Sequence, residues 1–596
     1  MTRSLLFTIV LLLFLTCATV QAGEWVERSD NLNDTNNNHY SWQRYPNGED
    51  TDSDSDWEFR ASTEGRSNGK LPPPQKTIYV DDDFVDDPPK HKWNTIQEGI
   101  NDANSGDTII VSDGIYNENL NVYKRLTIRS ENGADATIVQ AASSSDHVFE
   151  VTANWVNITG FTVTWATAPG ASLDVGISGI RLSYACYCNI SNNNASNNNC
   201  GIYLYHSNNN MLMSNNASDN EYGICLWESS DNTLMSNNAS DNNHGIFLLG
   251  SSSNTLTSNT ASDNEYGIYL HYSSSNTFMN NTVSYNGRGI SLSCSSSNTL
   301  TSNTASDNNH EGIDLFYSSS STLTSNTASD NGCGIYLESS DDNMLTSNTV
   351  SDNEYGIYLW DSSDNTLTNN NCSNNTLGIW LSSSSNNTLM NNTASYNGRG
   401  IYLEHSSNNN IITNNTASYN NGSGNYGGRG IFLLFSGNNT LKDNNASNNS
   451  IRGITLCESC NNLLYHNNLI NNNGDAYDSS SDIVCTNFWN SQTEGNYYSD
   501  YAGCDNDIDG IGDTPHPIPR GSSVDYFPLM QPWSEDTQQK GDLNGDGQIT
   551  AADAAIALGM AVSGERGDDV DMDGDGWVSS VDALMILQAA GEVIKL

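Results

Sequence analysis

Two twelve-residue segments near the C-terminus place oxygen-bearing side chains at the same regular spacing. They read "DLNGDGQITAAD" (542–553) and "DMDGDGWVSSVD" (571–582), with Asp or Asn at positions 1, 3 and 5, Gly at position 6 and Asp at position 12. Such oxygens, gathered in a loop that turns sharply at a glycine, are what a calcium ion takes as ligands. We therefore predict two calcium ions with these ligands: Asp542, Asn544, Asp546, the Gln548 carbonyl, Asp553, Asp571, Asp573, Asp575, the Trp577 carbonyl and Asp582.

Each of these loops leads into an apolar segment of helical length, "AADAAIALGMAV" or "SVDALMILQAAG". The two helices are predicted to pack through Ala555, Ile556, Leu558, Leu584, Ile586 and Leu587. A module this small has little core, so calcium should supply much of its folding free energy. We assign it residues 540–593, after a linker at 531–539.

The twin loop-plus-helix has the loop spacing of an EF-hand, with Asp in place of the last Glu, and it resembles a type I dockerin. The resemblance implies a small α-helical domain that docks in a calcium-dependent manner to a cohesin domain of another protein. Dockerin specificity usually depends on loop positions 10 and 11. Those positions are here Ala551, Ala552, Ser580 and Val581.

The long middle of the chain repeats a Gly-Ile-x-Leu motif, mostly at intervals of 22 residues, from Gly179 to Gly453. Each period also has two further apolar positions, which recur from one period to the next. One is occupied by Leu, as at Leu234 and Leu256, and the other by Ala, as at Ala217 and Ala239. Three short strands with inward apolar groups cannot bury a core alone, but stacked coils can. The period predicts an all-β parallel β-helix, with Asn at the corners because it bonds locally and ladders between coils.

The rhythm "GIYLxxSSxNTLTxNTASxN" and the exit "NYYSDYAGCDNDIDGIGDTPHPIPRGSSVDYFPLM" resemble the NosD-like proteins of the pectin-lyase-like fold. The resemblance covers about residues 76–530. It implies a right-handed, single-stranded β-helix with an N-terminal cap and first coils at 76–165, repeats at 166–470 and a C-terminal cap at 471–530. That fold hosts lyases, hydrolases, esterases, epimerases and non-catalytic surface proteins.

The residue between the inward Ile and Leu points outward and is often aromatic. A flat apolar face with polar edges suits a sugar ring. The candidate glycan-binding residues are Tyr269, Tyr336, Tyr358, Trp380 and Tyr402. The alternative is that these rings stabilise neighbouring strands by stacking on one another.

Two further functions follow from the family resemblance. A polysaccharide-degrading or -modifying enzyme, such as a lyase, glycoside hydrolase or epimerase, would need clustered acids and bases, and the charged residues here are scattered, so no catalytic residue is assigned. Copper handling, as in NosD, would need clustered His, Met or Cys. Met211, Met213 and Met235 are instead expected to pack in or beside apolar columns.

The first 22 residues have Arg3, an apolar run and "VQA", the pattern of a secretory signal peptide. An acidic, Asn- and Ser-rich spacer at 23–75 should be disordered. We expect a secreted, cell-surface-associated protein with no transmembrane anchor in the mature chain. The formal net charge of −48 disfavours nucleic acid as a partner. The spacing of the cysteines does not determine their pairing.

Overall fold

The computed structural model describes residues 40–44, 57–61, 75–168, 176–422, 427–480, 485–534, 541, 543, 549–563, 570, 572 and 577–590. From Thr77 onward, short parallel strands follow one another around successive coils and form three sheets. The architecture is an all-β, right-handed parallel β-helix of about 16 turns, with a C-terminal helical domain. The predicted fold class is confirmed.

The first sheet, called the long sheet below, contains the Gly-Ile-x-Leu strands and has 16 members in sequence order. Its strands are Leu120–Val122, Phe149–Val151, Ser178–Ser183, Cys200–Tyr205, Tyr222–Trp227, His244–Leu249, Tyr266–His271, Arg288–Ser293, Glu311–Phe316, Cys333–Glu338, Tyr355–Trp360, Leu377–Ser382, Arg399–Glu404, Arg429–Leu434, Arg452–Cys457 and Ala476–Asp478.

The second sheet has 18 strands, and the third consists of 4-, 7- and 3-stranded sections. Strands of the second sheet are Thr77–Val80, Lys92–Trp93, Thr108–Val111, Thr127–Ser130, Asn157–Thr159, Asn189–Ser191, Met211–Met213, Thr233–Met235, Thr255–Thr257, Thr277–Met279, Thr299–Thr301, Thr322–Thr324, Met344–Thr346, Thr366–Thr368, Thr388–Met390, Ile411–Thr413, Thr440–Lys442 and Leu463–Tyr465. Those of the third are Gly114–Asn117, Thr137–Gln140, Thr162–Thr164, Asn194–Ala195, Thr260–Ser262, Thr282–Ser284, Thr304–Ser306, Thr327–Ser329, Thr349–Ser351, Asn371–Ser373, Thr393–Ser395, Asn445–Ser447, Asn468–Ile470 and Tyr497–Tyr498.

The core consists of the apolar columns that the period predicts. In the long sheet Ile335, Ile357 and Ile379 are direct partners on neighbouring strands, and each is 0% exposed. The Leu column of the second sheet and the Ala or Val column of the third are equally buried. A shift of one residue would turn every inward side chain outward, so the 22-residue spacing fixes the register.

Buried asparagines form ladders that run from coil to coil at the corners. For example, the backbone N–H and Nδ2 of Asn370 both donate to Oδ1 of Asn392 at 2.9 Å, and Nδ2 also donates to the Leu345 carbonyl at 2.8 Å. The residue in the left-handed conformation is the one before the ladder asparagine, such as Asn369 (φ 57°). The ladders satisfy corner backbone groups that no sheet pairs.

Each ladder ends on a buried aspartate in the C-terminal coils. Asn472 donates to Asp475 at 3.0 Å, Asn487 to Asp478 at 3.1 Å, and the N–H of Asn496 to Asp525 at 2.8 Å. A carboxylate accepts hydrogen bonds and donates none, so it completes a row of donors without requiring another coil. Nearby, His516–Pro517 and Val524–Asp525 form an antiparallel pair.

A short helix, α1 (Ile96–Asp102), covers the N-terminal end. Its N-cap, Thr95, accepts from the Glu98 N–H at 3.3 Å, and Ile96 and Ile100 are fully buried. The first-turn N–H groups of Ile96 and Gln97 donate to the Glu118 carboxylate at 2.8 and 2.9 Å. A 3₁₀ turn, Pro88–Lys90, precedes it.

The N-terminal 76 residues form a separate compact unit. Within the segment predicted to be a disordered spacer, Tyr40–Arg44 and Trp57–Ala61 form an antiparallel pair, so that prediction is wrong for these two strands. The predicted signal peptide lies outside the described residues. In the part of the chain that is described, no helix has the length and apolarity to cross a membrane.

One disulfide joins Cys460 to Cys485, with Cα atoms 5.4 Å apart. It links the C-terminal coils across 25 residues of sequence. Cys457, the other member of the single C-x-x-C, is a free thiol. The pairing depends on the fold, which is why the cysteine spacing alone did not determine it.

Candidate functional site

The outer face of the long sheet carries the predicted aromatic column. Its rings stack closely: Tyr358 and Trp380 have centroids 3.9 Å apart and planes at 6°, and Tyr402 and Phe432 lie 5.1 Å apart at 12°. Tyr402 is only 5% exposed, whereas Tyr358 and Trp380 are half-buried. Both the stacking and a partly accessible aromatic face are present.

The other predicted glycan-binding residues, Tyr269 and Tyr336, are also half-buried. Tyr269 stacks on Phe247 at 5.3 Å, and Tyr336 is tilted against Tyr358 at 5.1 Å. Columns on either side of the central one partly cover the rings, because a strand shows every second residue on the same face. The accessible area is therefore smaller than the outward direction alone suggests.

A polar cluster interrupts the aromatic column between Tyr269 and Tyr336. Asp314, 1% exposed, accepts from Arg288 Nη1 and from Ser291 Oγ, each at 2.9 Å. Arg288 Nε also lies 3.1 Å from Glu311. Burial raises the pKa of Asp314 to about 7, because it outweighs the opposing effect of the Arg288 charge. Arg288 and Asp314 are 26 residues apart in sequence, so the 22-residue period does not pair them.

The raised pKa of Asp314 predicts a pH-dependent stability of the β-helix. The folded state binds a proton more tightly than the unfolded chain, whose carboxyl has the ordinary value of 3.8, so the free energy of unfolding falls as pH rises from about 4 to about 7. The contribution is on the order of 2 to 4 kcal/mol. Asp314→Asn should flatten this fall in denaturant titrations from pH 4 to 8.

Exposed Asp342 gives a matched control for that substitution. Asp342→Asn removes the same charge one coil further on, but at a position that is exposed to solvent. It should leave the pH profile of stability as in the wild type. An Asp314→Asn profile as steep as that of Asp342→Asn would contradict the assignment.

An acidic loop in the C-terminal coils was not singled out from the sequence. One carboxylate oxygen from each of Asp505, Asp507 and Asp509 lies within 4.8 Å of the others. The charge of Asp509 is the main cause that raises the pKa of Asp507. The spacing Asp-x-Asp-x-Asp-Gly indicates this proximity; the loop at 571–582 has the same pattern, and the loop at 542–553 has it with Asn544 at the third position.

The C-terminal module has two helices, α2 (Ala551–Ser563) and α3 (Ser580–Ala590). The position-12 residues of the two loops, Asp553 and Asp582, are both fully buried. Asp553 accepts from the Leu543 N–H and from both Thr550 donors at 2.8 to 2.9 Å. Asp582 makes the corresponding contacts with the Met572 N–H at 2.6 Å and with Ser579 at 2.8 and 2.9 Å.

The residue types at these two positions are compatible with the predicted calcium sites. Buried carboxylates are unfavourable without a nearby cation, and carboxylate oxygens are calcium's preferred ligands, so the donor set fits this ion. Trp577, at position 7 of its loop, is 60% exposed, and the ligand predicted from this residue is its backbone carbonyl. The predicted ligands Asp542, Asn544, Asp546, Gln548, Asp571, Asp573 and Asp575 lie outside the described residues.

The predicted helix contacts are wrong except for Ile586. Ala555 is exposed, and Ile556, Leu558, Leu584 and Leu587 are 38 to 53% exposed. The buried positions are one residue away: Ala554, Ala557 and Ala583, with Ile586 and Val570. Asp553 and Asp582 determine which face of each helix is buried. Both point into the module, and the alanine that follows each of them lies on the same side of its helix. The predicted cohesin-contact residues Ala551, Ala552, Ser580 and Val581 are all exposed.

The methionines considered for copper are not in the core. Met211 and Met213 flank the inward Leu212 and face outward, half-buried, with Met213 beside Met235 on the next strand. They lie beside an apolar column, as one form of the expectation had it, but the expected packing in the core is wrong. Among the described residues, the groups of three or more His, Cys, Asp or Glu that could hold a metal are acidic, at 81–83 and 505–509.

Comparisons with known proteins agree with this architecture. Residues 339–503 match the family model of the periplasmic copper-binding protein NosD, residues 115–305 and 222–350 that of the right-handed β-helix region, and residues 540–589 that of the dockerin type I domain. None of the curated proteins matches the chain.

Similar solved structures are distant in sequence. The Dettilon tailspike protein is 12% identical over 56% of this chain and 66% of its own, with a TM-score of 0.36. DFA-IIIase from Arthrobacter chlorophenolicus, without its lid, is 12% identical over 52% and 94% (TM-score 0.36), and pectate lyase Pel9A is 13% identical over 48% and 78% (TM-score 0.32). The chain thus consists of a right-handed parallel β-helix, part of which matches the NosD family model, followed by a dockerin type I domain.

Proposed function

We propose that this is a secreted, cell-surface-associated protein whose dockerin, folded around two calcium ions, attaches the β-helix to a cohesin-bearing partner. The observation that carries this proposal is the mirrored pair of buried aspartates, Asp553 and Asp582, each holding its loop by the same contacts. Next to them in sequence, Ala551, Ala552, Ser580 and Val581 start the two helices and are accessible to a partner. The two pairs differ, so one orientation of docking is favoured.

The β-helix itself is proposed to bind a surface glycan through the outer face of the long sheet. Tyr358 and Trp380 support this, because their parallel rings remain half-exposed after stacking and form a flat apolar platform. Such platforms suit the apolar face of a sugar ring. The copper alternative has less support, since the described His and Cys residues form no cluster of three or more.

The double variant Tyr358→Ala with Trp380→Ala tests glycan binding. We expect binding to a glycan array to weaken at least about tenfold, as removal of two stacking rings costs on the order of 1 to 3 kcal/mol. Circular dichroism must show that the β-helix remains folded. The matched control is Tyr285→Ala with Tyr317→Ala, two exposed corner tyrosines. Equal binding by the platform variant and this control would instead support a purely packing role.

A polysaccharide-degrading or -modifying activity is the second candidate function. Asp314 favours it, since a carboxyl with a pKa of about 7 can both give and take a proton near neutral pH. Its 1% exposure, behind Arg288 and Ser291, is unfavourable for direct contact with a substrate. Detection of shortened, unsaturated or epimerised products after incubation with polysaccharides would establish this activity, and Asp314→Asn should abolish it.

A further inference from the structure

Basic residues are rare on the repeats, and three of them lie side by side. Between residues 176 and 480 the sequence has six Lys or Arg in all. Arg429 and Arg452 are direct partners on adjacent strands of the long sheet, and the register of Ile401 with Ile431 places Arg399 next to Arg429. Adjacent strands are about 4.8 Å apart, so three positive charges lie within roughly 10 Å.

Aromatic rings hold these three arginines, called the arginine column below, on the outer face. The guanidinium carbon lies 4.7 Å from the Tyr402 ring centroid for Arg399, 5.0 Å from that of Phe432 for Arg429, and 4.3 Å from that of Tyr477 for Arg452. Like charges directly opposite each other on neighbouring strands are destabilising. An anion placed along the column would relieve that repulsion.

A polar pocket adjoins the first arginine of the column. It has a volume of about 660 Å³, and Asn374, Asn375, Thr376, Asn421 and Arg399 contribute to its lining. The repeat is interrupted by an insertion between Gly400 and the next motif at Gly430. The chain is fixed at the pocket before and after it, because the Gly398 carbonyl accepts from the N–H of Gly422 at 3.0 Å and from that of Gly428 at 2.7 Å. Amide and hydroxyl groups beside a guanidinium offer many hydrogen bonds to a sugar.

A pair of stacked tyrosines stands at the same corner. Tyr396 and Tyr419 have ring centroids 5.1 Å apart and planes at 5°, and they are 61% and 49% exposed. Tyr396 follows Asn374 in the same corner column, one coil further on. Unlike the central column of the long sheet, this platform is open to solvent.

Acidic residues near the pocket lie on its N-terminal side. Asp352 and Glu354 are exposed on the coil before Asn374 and Thr376. Glu404, on the coil of Arg399, accepts a hydrogen bond from the Tyr402 hydroxyl and lies 3.3 Å from Nδ1 of His405. The potential is thus negative toward Asp352 and positive along the arginine column, which gives the site a direction.

We propose that this corner binds an anionic sugar residue of a glycan, one bearing a carboxylate or a sulfate. The sugar stacks on Tyr396 and Tyr419 and enters the amide-lined pocket, and its negative group contacts the arginine column. The inference rests on the proposed glycan binding and adds the chemical class of the glycan. A chain of net charge −48 repels polyanions over most of its surface, so a binding site for one must carry its own positive charge.

The test uses the full chain in one calcium-containing buffer and four probes: an oligoglucuronate, its neutral methyl ester, dextran sulfate and unmodified dextran. Calorimetry should show binding to the uronate or the sulfate polymer, or both, and not to the neutral counterpart. Arg429→Gln with Arg452→Gln should weaken it at least about tenfold, as expected for loss of charge-assisted hydrogen bonds. Lys442→Gln, which removes one positive charge from the neighbouring sheet, should not weaken it.

A second variant, Tyr396→Ala with Tyr419→Ala, should weaken binding by a similar factor while leaving its salt dependence unchanged. Equal affinity for the uronate and its methyl ester, or equal losses in the arginine variant and Lys442→Gln, would overturn the anionic specificity while leaving glycan binding in place. Absence of binding to every polysaccharide, neutral ones included, would overturn the proposed function as well.

Discussion

Removal of calcium is expected to unfold the C-terminal module and leave the β-helix folded. Ala554, Ala557, Val570, Ala583 and Ile586 are the only buried apolar side chains in the described part of this module, and they bury little apolar area. Without a cation, the clustered carboxylates of each loop would repel one another. Calcium binding must therefore supply much of the folding free energy.

The measurement is a pair of thermal melts of the full chain, with calcium and with excess chelator, followed by circular dichroism. With calcium, the helical signal of α2 and α3 should be present, and it should be lost in chelator at ambient temperature while the β-sheet transition stays in place. Calorimetric titration of the chelated chain should return a stoichiometry of two. Binding to a cohesin should disappear with the helical signal.

Single substitutions test the two calcium sites one at a time. Asp553→Ala and Asp582→Ala should each reduce the stoichiometry to one, because each removes the buried position-12 ligand of one loop. Asp361→Ala, a change at an exposed aspartate of the β-helix, should leave it at two. A module that stays helical and docked in excess chelator would show that its small core suffices without the ion.

The sequence predicts most where it repeats. A 22-residue period forces each coil to match its neighbour, so the sequence alone assigns the inward Ile, Leu and Ala columns. The corner asparagines were predicted for the same reason. Their hydrogen-bond ladders confirm it, although the left-handed residue is the one that precedes each ladder asparagine.

Prediction is weakest where the chain departs from the period. Asp525 ends the ladder of Asn496, although it follows that residue by 29 positions and lies in an antiparallel pair of strands. A 22-residue period does not predict this contact. Arg288 and Asp314 lie on adjacent strands but 26 residues apart in sequence, so a 22-residue period does not pair them. The pocket beside Arg399 lies where an insertion interrupts the repeat.

In the helical module, the sequence predicts the two helices correctly, but the contact face predicted for them is wrong except at Ile586. Both segments are apolar almost all round, so periodicity alone does not choose a face. The buried aspartates choose it, because the loops orient Asp553 and Asp582 inward and the next alanines follow. Four larger apolar side chains, Ile556, Leu558, Leu584 and Leu587, are left partly exposed as a result.

The substitution Ile357→Asp should strongly destabilise the β-helix. Ile357 is fully buried between Ile335 and Ile379, and the coil offers no cation or polar partner at that position among these neighbours. The change removes buried methyl groups and places a carboxyl in an apolar column, at a combined cost of about 4 kcal/mol or more. Since each coil is stabilised by the coils on either side, the loss extends to both neighbours.

Trp360→Asp provides the matched control, since Trp360 is on the same strand, faces outward and is 46% exposed. Guanidinium denaturation of both variants should show a much lower midpoint for Ile357→Asp and a midpoint near the wild type for Trp360→Asp. The cost of Ile357→Asp should also shrink at low pH, because a protonated carboxyl is easier to bury than a charged one. Equal midpoints for the two variants would contradict the inward assignment of the Ile column and, with it, the register on which every coil depends.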